Sequence, residues 1–318
     1  MGDYIGYIKK EIDRNENLKV LRLIFFGGEP LIRLDVIRSI SQFVKPYCEE
    51  RNIKYDGGIV SNGYLFTPDV SIELKKLGIK GAQITLDGFE TTYNKFRNPP
   101  PNAFKTVLQN IEESAIPIQI RLHALPSNEE EICQLASYLI GIPSIKRHKI
   151  KIHRVLDNPY PSVSLFNDNE WLEFKEQACA INERLKTTMT YGDMLKPNYN
   201  PCRFCFSRNV ALAPDGYIYR CDYNLGIKEK AVGTLKDGIN ADGDENKAYV
   251  STLIIDECRK CPILPVCHGG ICRHEVLLGI SSCDYMKNRF KQNLRFHIEI
   301  EQKRKRRIQH GSLLPPKI

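Results

Sequence analysis

The chain has 318 residues, 42% hydrophobic and 26% charged, a globular composition with room for one large or two ordinary domains. Part of its formal net charge of +8 sits in Lys303–Arg307, where no aromatic side chains are interleaved, so the run reads as a solvated terminus and nucleic acid is not an expected partner. No apolar run is long enough to cross a bilayer and the first residues carry no signal-peptide core, which argues against a membrane protein and makes the cytoplasm the expected compartment.

Tyr4, Ile5, Ile8 and Ile12 share one helical face. Leu21–Phe26 then reads as a buried strand that runs into Gly27-Gly28-Glu29-Pro30. Leu34, Ile37, Ile40 and Val44 restore the helical period, and a strand follows to Val60, ending at Ser61-Asn62-Gly63. Thr67 as N-cap, Pro68 at the first helical position and Gly78 as the stop mark the next helix. Gln83–Asp87 is another short strand, ending in Gly88; Phe104, Val107, Leu108 and Ile111 mark a further helix. Strands at Ile116–Leu125 and Lys149–Val155 complete the series.

Strands alternating with helices imply parallel βαβ units, wound as a barrel or as a doubly wound sheet. In both, ligands bind at the C-terminal ends of the strands. Each of the exits at Gly27, Ser61 and Asp87 alone fits an ordinary turn; three on one rim would make a site. Pro159, Pro161 and Ser162 mark a loop, Trp171–Leu185 reads as an amphipathic helix, and the composition changes near residue 195.

Eight of the eleven cysteines lie between Cys202 and Cys283, in the order Cys202-x2-Cys205, Cys221, Cys258-x2-Cys261-x5-Cys267-x4-Cys272 and Cys283. Reducing cytoplasm argues against disulfides and for metal. Two tetrahedral zinc sites and two iron–sulfur clusters both take four thiolates each, and the spacing does not separate them. Cys48, Cys133 and Cys179 are isolated in helical patterns and read as packing residues.

This cysteine order, with Gly216 ahead of Cys221, resembles the SPASM domain of radical S-adenosylmethionine (radical SAM) enzymes. The N-terminal half resembles the same enzymes independently. Phe25–Leu31 looks like their GGEP stretch, Ser61-Asn62-Gly63 like the strand exit near the cofactor ribose, and Gln83–Gly88 with Phe96-Arg97 like a further cofactor-side stretch. Arg121 and Asn128 fall where a cofactor-contacting strand and its exit are found.

The resemblance implies an α/β fold: a partial (β/α)6 barrel lacking its first strand over residues 1–155, a bridging loop and helix over 156–200, an iron–sulfur SPASM domain over 201–290, and a basic helix or tail over 291–318. It implies S-adenosylmethionine contacts at Gly27, Gly28, Glu29, Pro30, Ser61, Asn62, Gln83, Asp87 and Arg121. It implies one auxiliary [4Fe–4S] cluster on Cys202, Cys205, Cys221 and Cys272, and a second on Cys258, Cys261, Cys267 and Cys283. The spacing before Cys272 is one residue longer than the family pattern.

Family members also carry Cys-x3-Cys-x2-Cys ahead of the GGEP strand, holding the cluster that cleaves S-adenosylmethionine to a 5′-deoxyadenosyl radical. That run is absent from these 318 residues, so S-adenosylmethionine is an expected cofactor only where the full-length protein supplies the loop that carries it. The expected function is therefore a peptide or protein maturase of this type, needing an electron donor and read from an N-terminally incomplete chain. A catalytically degenerate SPASM partner and a zinc-ribbon nucleic-acid-binding protein are the alternatives. No catalytic acid or base is assigned: Asp87 fits a turn residue equally, and His268 and His274 beside the cysteines fit solvated or hydrogen-bonded roles.

Overall fold

The computed structural model describes residues 2–155, 164–181, 209–250, 256–267, 272–279 and 283–309. The chain divides into two compact units, one of residues 8–189 and one that joins residues 2–7 to 190–318.

The first unit is built on five parallel strands, β1 (Val20–Phe25), β2 (Lys54–Ser61), β3 (Ile79–Leu86), β4 (Ile118–Ala124) and β5 (Lys149–Arg154), hydrogen-bonded in sequence order. Sequential order means that every crossover steps in the same direction, the winding of a barrel; a doubly wound sheet would reverse once. This is the α/β barrel arrangement, with all strand exits on one edge.

Helices α1 (Gly2–Asp13), α2 (Leu34–Glu49), α3 (Pro68–Lys76), α4 (Glu90–Arg97), α5 (Ala103–Glu112) and α6 (Glu129–Gly141) punctuate the strands, and α7 (Asp168–Ile181) follows. The signals on α3 act as expected. Thr67 Oγ1 accepts from the Val70 N–H at 3.3 Å, Pro68 starts the helix and Gly78 takes φ +87° beyond its end.

One face of the sheet is apolar core. Ile59, Ile84, Leu86, Ile118, Ile120, Leu122, Ile150 and Ile152 are buried, and α2, α3 and α6 pack on β2, β3 and β4. The opposite face carries Gln83, Gln119, Arg121, His123, Lys151 and His153, none of them fully buried, so β4 alternates apolar and polar with period two.

Two features differ from the sequence reading. The strand expected to be buried at Leu21–Phe26 has no fully buried residue, because β1 pairs only with β2 and forms an edge of its sheet. Helices α4 and α6 were not anticipated. Helix α4 buries only Tyr93, too little to set a period, whereas α6 buries Ile132, Leu135, Ala136 and Leu139 at a spacing that was there to be read.

In the second unit, β6 (Ala211–Leu212), β7 (Tyr217–Tyr219), β8 (Ala231–Thr234) and β9 (Gly238–Ile239) form an antiparallel sheet. Tyr7 joins Ile218, Val232 and Leu235 in its core, and the Tyr4 hydroxyl donates to the Ala213 carbonyl at 2.7 Å. The start of α1 is thereby part of this unit, which its amphipathic pattern alone does not reveal. Helices α8 (Asp244–Val250), α9 (Asp256–Arg259), α10 (Leu264–Cys267), α11 (Arg273–Leu277) and α12 (Cys283–Gln309) follow. Lys303, Lys305 and Arg306 of the basic run are exposed on α12. Among the described residues no helix is long and apolar enough to cross a membrane.

Candidate functional site

At the exit of β1 the chain turns through Gly27 and Gly28, and Glu29 reaches across to the exit of β2. Its carboxylate accepts from the Leu31 N–H at 3.0 Å, the Ser61 hydroxyl at 2.9 Å and the Asn62 N–H at 2.7 Å. A carboxylate offers about four lone-pair sites, so three donors leave room for one more. Gly27, at φ +148°, and Gly28 have nothing within 4 Å of where a side chain would begin. Open backbone beside a held carboxylate fits a ligand bearing an ammonium group. Pro30 begins the short 3-10 turn that aims Glu29.

The β2 exit is itself locked. The Ser61 hydroxyl also accepts from the Gly63 N–H at 3.0 Å, Asn62 Oδ1 accepts from the Tyr64 N–H at 2.9 Å, and Asn110 of α5 donates to the Gly63 carbonyl at 2.9 Å. Gly63 sits at φ +86°, where a Cβ would come within 2.8 Å of Ile84.

At the β3 exit Asp87, 4% exposed, accepts from Arg97 and pairs with His123 Nδ1 at 2.9 Å. Burial works against its charge, but His123 and Arg97 outweigh that and hold the carboxyl below the usual carboxylate range. Asn128 donates to the carbonyls of Asp87 at 2.8 Å and His123 at 3.1 Å while accepting from the Leu125 N–H. Glu131 of α6 accepts from the Phe89 N–H and the Thr92 hydroxyl, both at 2.6 Å, and so anchors the start of α4.

The polar face of the sheet ranks by register: Gln83 beside Gln119, Thr85 beside Arg121 beside Lys151, and His123 beside His153. Gln119 donates to Gln83 at 3.1 Å. Burial, with Arg121, Lys151 and His123 nearby, pushes the His153 imidazole down to about 2, so that ring is neutral at ordinary pH. Its Nε2 is buried with no hydrogen-bond partner among the described residues. This floor is cationic and suits a ligand that carries a negative group.

Of the residues expected to contact cofactor, Gly27, Gly28, Glu29, Pro30, Ser61 and Asn62 form one constellation. Gln83 and Arg121 lie on the polar sheet face, and Asp87 sits with Arg97 and His123. Sequence reasoning missed His123, His153, Asn110 and Glu131. The alternation of Gln119, Arg121 and His123 with Ile118, Ile120 and Leu122 was the signal for His123.

In the second unit Cys202 and Cys205 lie outside the described residues, as does His268. Cys258 and Cys261 are joined by a turn, the Cys261 N–H donating to the Cys258 carbonyl at 3.0 Å. Cys261 and Cys267 flank a small apolar cluster of Ile263 and Met286, and Met286 lies on α12, which Cys283 begins. Cys221 is buried beside Tyr249, whose hydroxyl also meets His274, two residues beyond Cys272. Of the expected ligands, Cys261 and Cys267 thus lie at the Ile263–Met286 cluster and Cys221 beside Tyr249; an all-thiolate set would suit iron–sulfur binding. Among the described residues no group of three or more His, Cys, Asp or Glu side chains is close enough to hold one metal ion. Cys48 and Cys179 are buried as packing residues, and Cys133 is partly buried.

A parallel sheet wound in one direction, with a carboxylate-and-glycine cradle on its C-terminal rim, defines an α/β barrel-type fold with a candidate ligand site at its strand ends. Residues 5–139 match the model of the Radical SAM superfamily. The chain is 32% identical over 110 residues to the radical SAM cyclopropyl synthase TigE of Paramaledivibacter caminithermalis, a match covering 34% of this chain and 22% of that protein. It is also 32% identical over 114 residues to the AdoMet-dependent heme synthase of Methanosarcina barkeri, covering 35% of this chain and 30% of that protein. These matches therefore span less than a third of either relative. Among solved structures, anSMEcpe with bound AdoMet and the Cp18Cys peptide has the same fold, with a TM-score of 0.68, 15% identity, and coverage of 96% of this chain and 90% of that one. Streptococcus suis SuiB aligns with a TM-score of 0.56 at 15% identity, covering 86% and 68%.

Proposed function

We propose that the chain is part of a radical SAM/SPASM maturase that modifies a side chain of a peptide or protein substrate in the reducing cytoplasm. The observation that carries this reading is the Glu29 carboxylate, held by Ser61, Asn62 and Leu31 beside the open backbone of Gly27 and Gly28. In this reading Glu29 and the glycine backbone receive the ammonium group of S-adenosylmethionine, and Ser61 and Asn62 flank its ribose. Gln83 and Arg121 face it from the sheet, with the cationic surroundings of Arg121 favouring the methionine carboxylate. Asp87 serves by fixing His123 and Arg97 at the rim.

The cofactor, when bound and reductively cleaved, supplies a 5′-deoxyadenosyl radical that abstracts a substrate hydrogen. The chain's own residues bind, orient and hold charge. Cys202, Cys205, Cys221 and Cys272 would hold one auxiliary [4Fe–4S] cluster, and Cys258, Cys261, Cys267 and Cys283 the second. Peptide recognition is supported by the fold shared with anSMEcpe, a protein whose structure contains a bound peptide.

Anaerobic purification and reconstitution, followed by iron, sulfide and zinc analysis, tests this reading. Two auxiliary clusters predict about eight iron and eight sulfide per chain and a visible absorption bleached by dithionite. Two zinc ions without sulfide would overturn it.

A further inference from the structure

Strand β5 leaves two side chains on the polar face of the sheet without a counterpart. Lys151 is half-buried and forms no ion pair among the described residues. His153, two residues on and so on the same face, has its Nε2 buried with no hydrogen-bond partner among those residues. In register the two stand beside Arg121 and His123 of β4. Neither strand contributes a carboxylate to this face: β4 places Gln119, Arg121 and His123 there, and β5 places Lys149, Lys151 and His153. Asp87, at the β3 exit, already accepts from Arg97 and pairs with His123.

A buried nitrogen that bonds nothing costs free energy, as does an ammonium half out of water with no anion. A ligand that supplies both partners recovers that cost. The His153 ring is neutral in this cationic setting, so it has one N–H to give and one lone pair to offer. Arg121 and Lys151 beside it repel a cationic donor and attract an anion. The group that fits is therefore an anionic acceptor, which takes an N–H from Nε2 and a charged contact from Lys151. Alternate residues on one strand face lie about 7 Å apart. Two side chains rooted at that spacing can close on the two oxygens of one carboxylate.

The carboxylate of S-adenosylmethionine fits this pair poorly. In that molecule the ammonium and carboxylate groups share one carbon, and the ammonium belongs to Glu29 at the exits of β1 and β2. Strand β5 lies three strands from β2, about 14 Å at about 4.8 Å per strand. Arg121, on β4, is the nearer cation. The β5 pair is left for a second carboxylate, one that arrives on the substrate.

We propose that Lys151 and His153 form a binding subsite for an aspartate or glutamate side chain of the peptide substrate. The proposal rests on the peptide-maturase reading and deepens it, because it names the side chain by which the substrate anchors on the sheet.

The test is a titration of the chain, carrying nitrogen-15 in its histidine rings, with acetyl-Gly-Glu-Gly-amide and with the uncharged isostere acetyl-Gly-Gln-Gly-amide. The spectrum of His153→Gln identifies the His153 signals. The Glu peptide should shift those signals saturably and place the ring proton on Nε2, and the Gln peptide should leave them unmoved. Lys151→Met should weaken the Glu peptide about tenfold, the effect of one half-buried ion pair. Lys151→Arg, which keeps the charge, should retain most of the affinity. The Glu–Gln comparison is made on the unaltered chain, so it stands if Lys151→Met fails to fold. Equal responses to the two peptides, or no response of His153 to either, would overturn the proposal. A His153 shift with S-adenosylmethionine alone would also overturn it, by giving the pair to the cofactor. Iron and sulfide counts decide the maturase reading separately: two zinc ions with a Glu-selective His153 response would remove that reading and leave the carboxylate site standing.

Discussion

Replacing Asp87 by Asn keeps the shape of the side chain and removes its charge, which separates the electrostatic contribution of this residue from its packing. Asp87 is nearly inaccessible, while the side chains of its partners Arg97 and His123 are 22% and 28% exposed. Removing one member of a fully buried ion pair costs about 3–5 kcal/mol, and a charge-assisted hydrogen bond contributes about 1.5–3 kcal/mol. Because both partners retain some water, screening lowers the expected loss to about 2–3 kcal/mol at pH 7. Trp171, the sole tryptophan and buried in the same unit, reports unfolding by fluorescence. With a urea slope of about 2 kcal/mol per molar, the midpoint should fall by about 1 M.

The acid limb makes the test sharper. The folded-state carboxyl lies below its ordinary value, so its contribution is fully present above the unfolded value of about 3.9 and is lost as pH falls through the folded one. The gap between wild type and variant should therefore close below about pH 4. A difference under about 0.5 kcal/mol at pH 7, within the range of an ordinary surface substitution, or one that persists unchanged in acid, would refute the electrostatic role.

Glu29→Gln should weaken S-adenosylmethionine binding, measured by equilibrium dialysis, by at least tenfold. It also replaces an acceptor of three donors by an amide, with a melting-point drop corresponding to about 1–2 kcal/mol. Gly63→Ala should cost about 1–3 kcal/mol in urea unfolding, because the new Cβ meets Ile84 at 2.8 Å and Val107 at 2.9 Å at a positive φ. A wild-type midpoint in that variant would show that the loop relaxes freely.

Much of this protein is legible one segment at a time. The N-cap, proline and glycine of α3 and the helical periods of α2 and α5 are local patterns, and local hydrogen bonding and burial suffice to produce those helices. The pairing of strands with helices restricted the fold to two windings, and only the order of β1 to β5 chose between them. The strand ends were visible as Gly, Ser, Asn and Asp, but their joining by Glu29 depends on two parallel neighbours ending level across a separation of 32 residues. Likewise, the pairing of His123 with Asp87 follows from the register of β3 and β4, and the meeting of Tyr249, Asn224 and His274 from the packing of three short segments. Side chains far apart in sequence meet only where strand register and packing bring them within hydrogen-bond reach, and neither is encoded in the period of a single element.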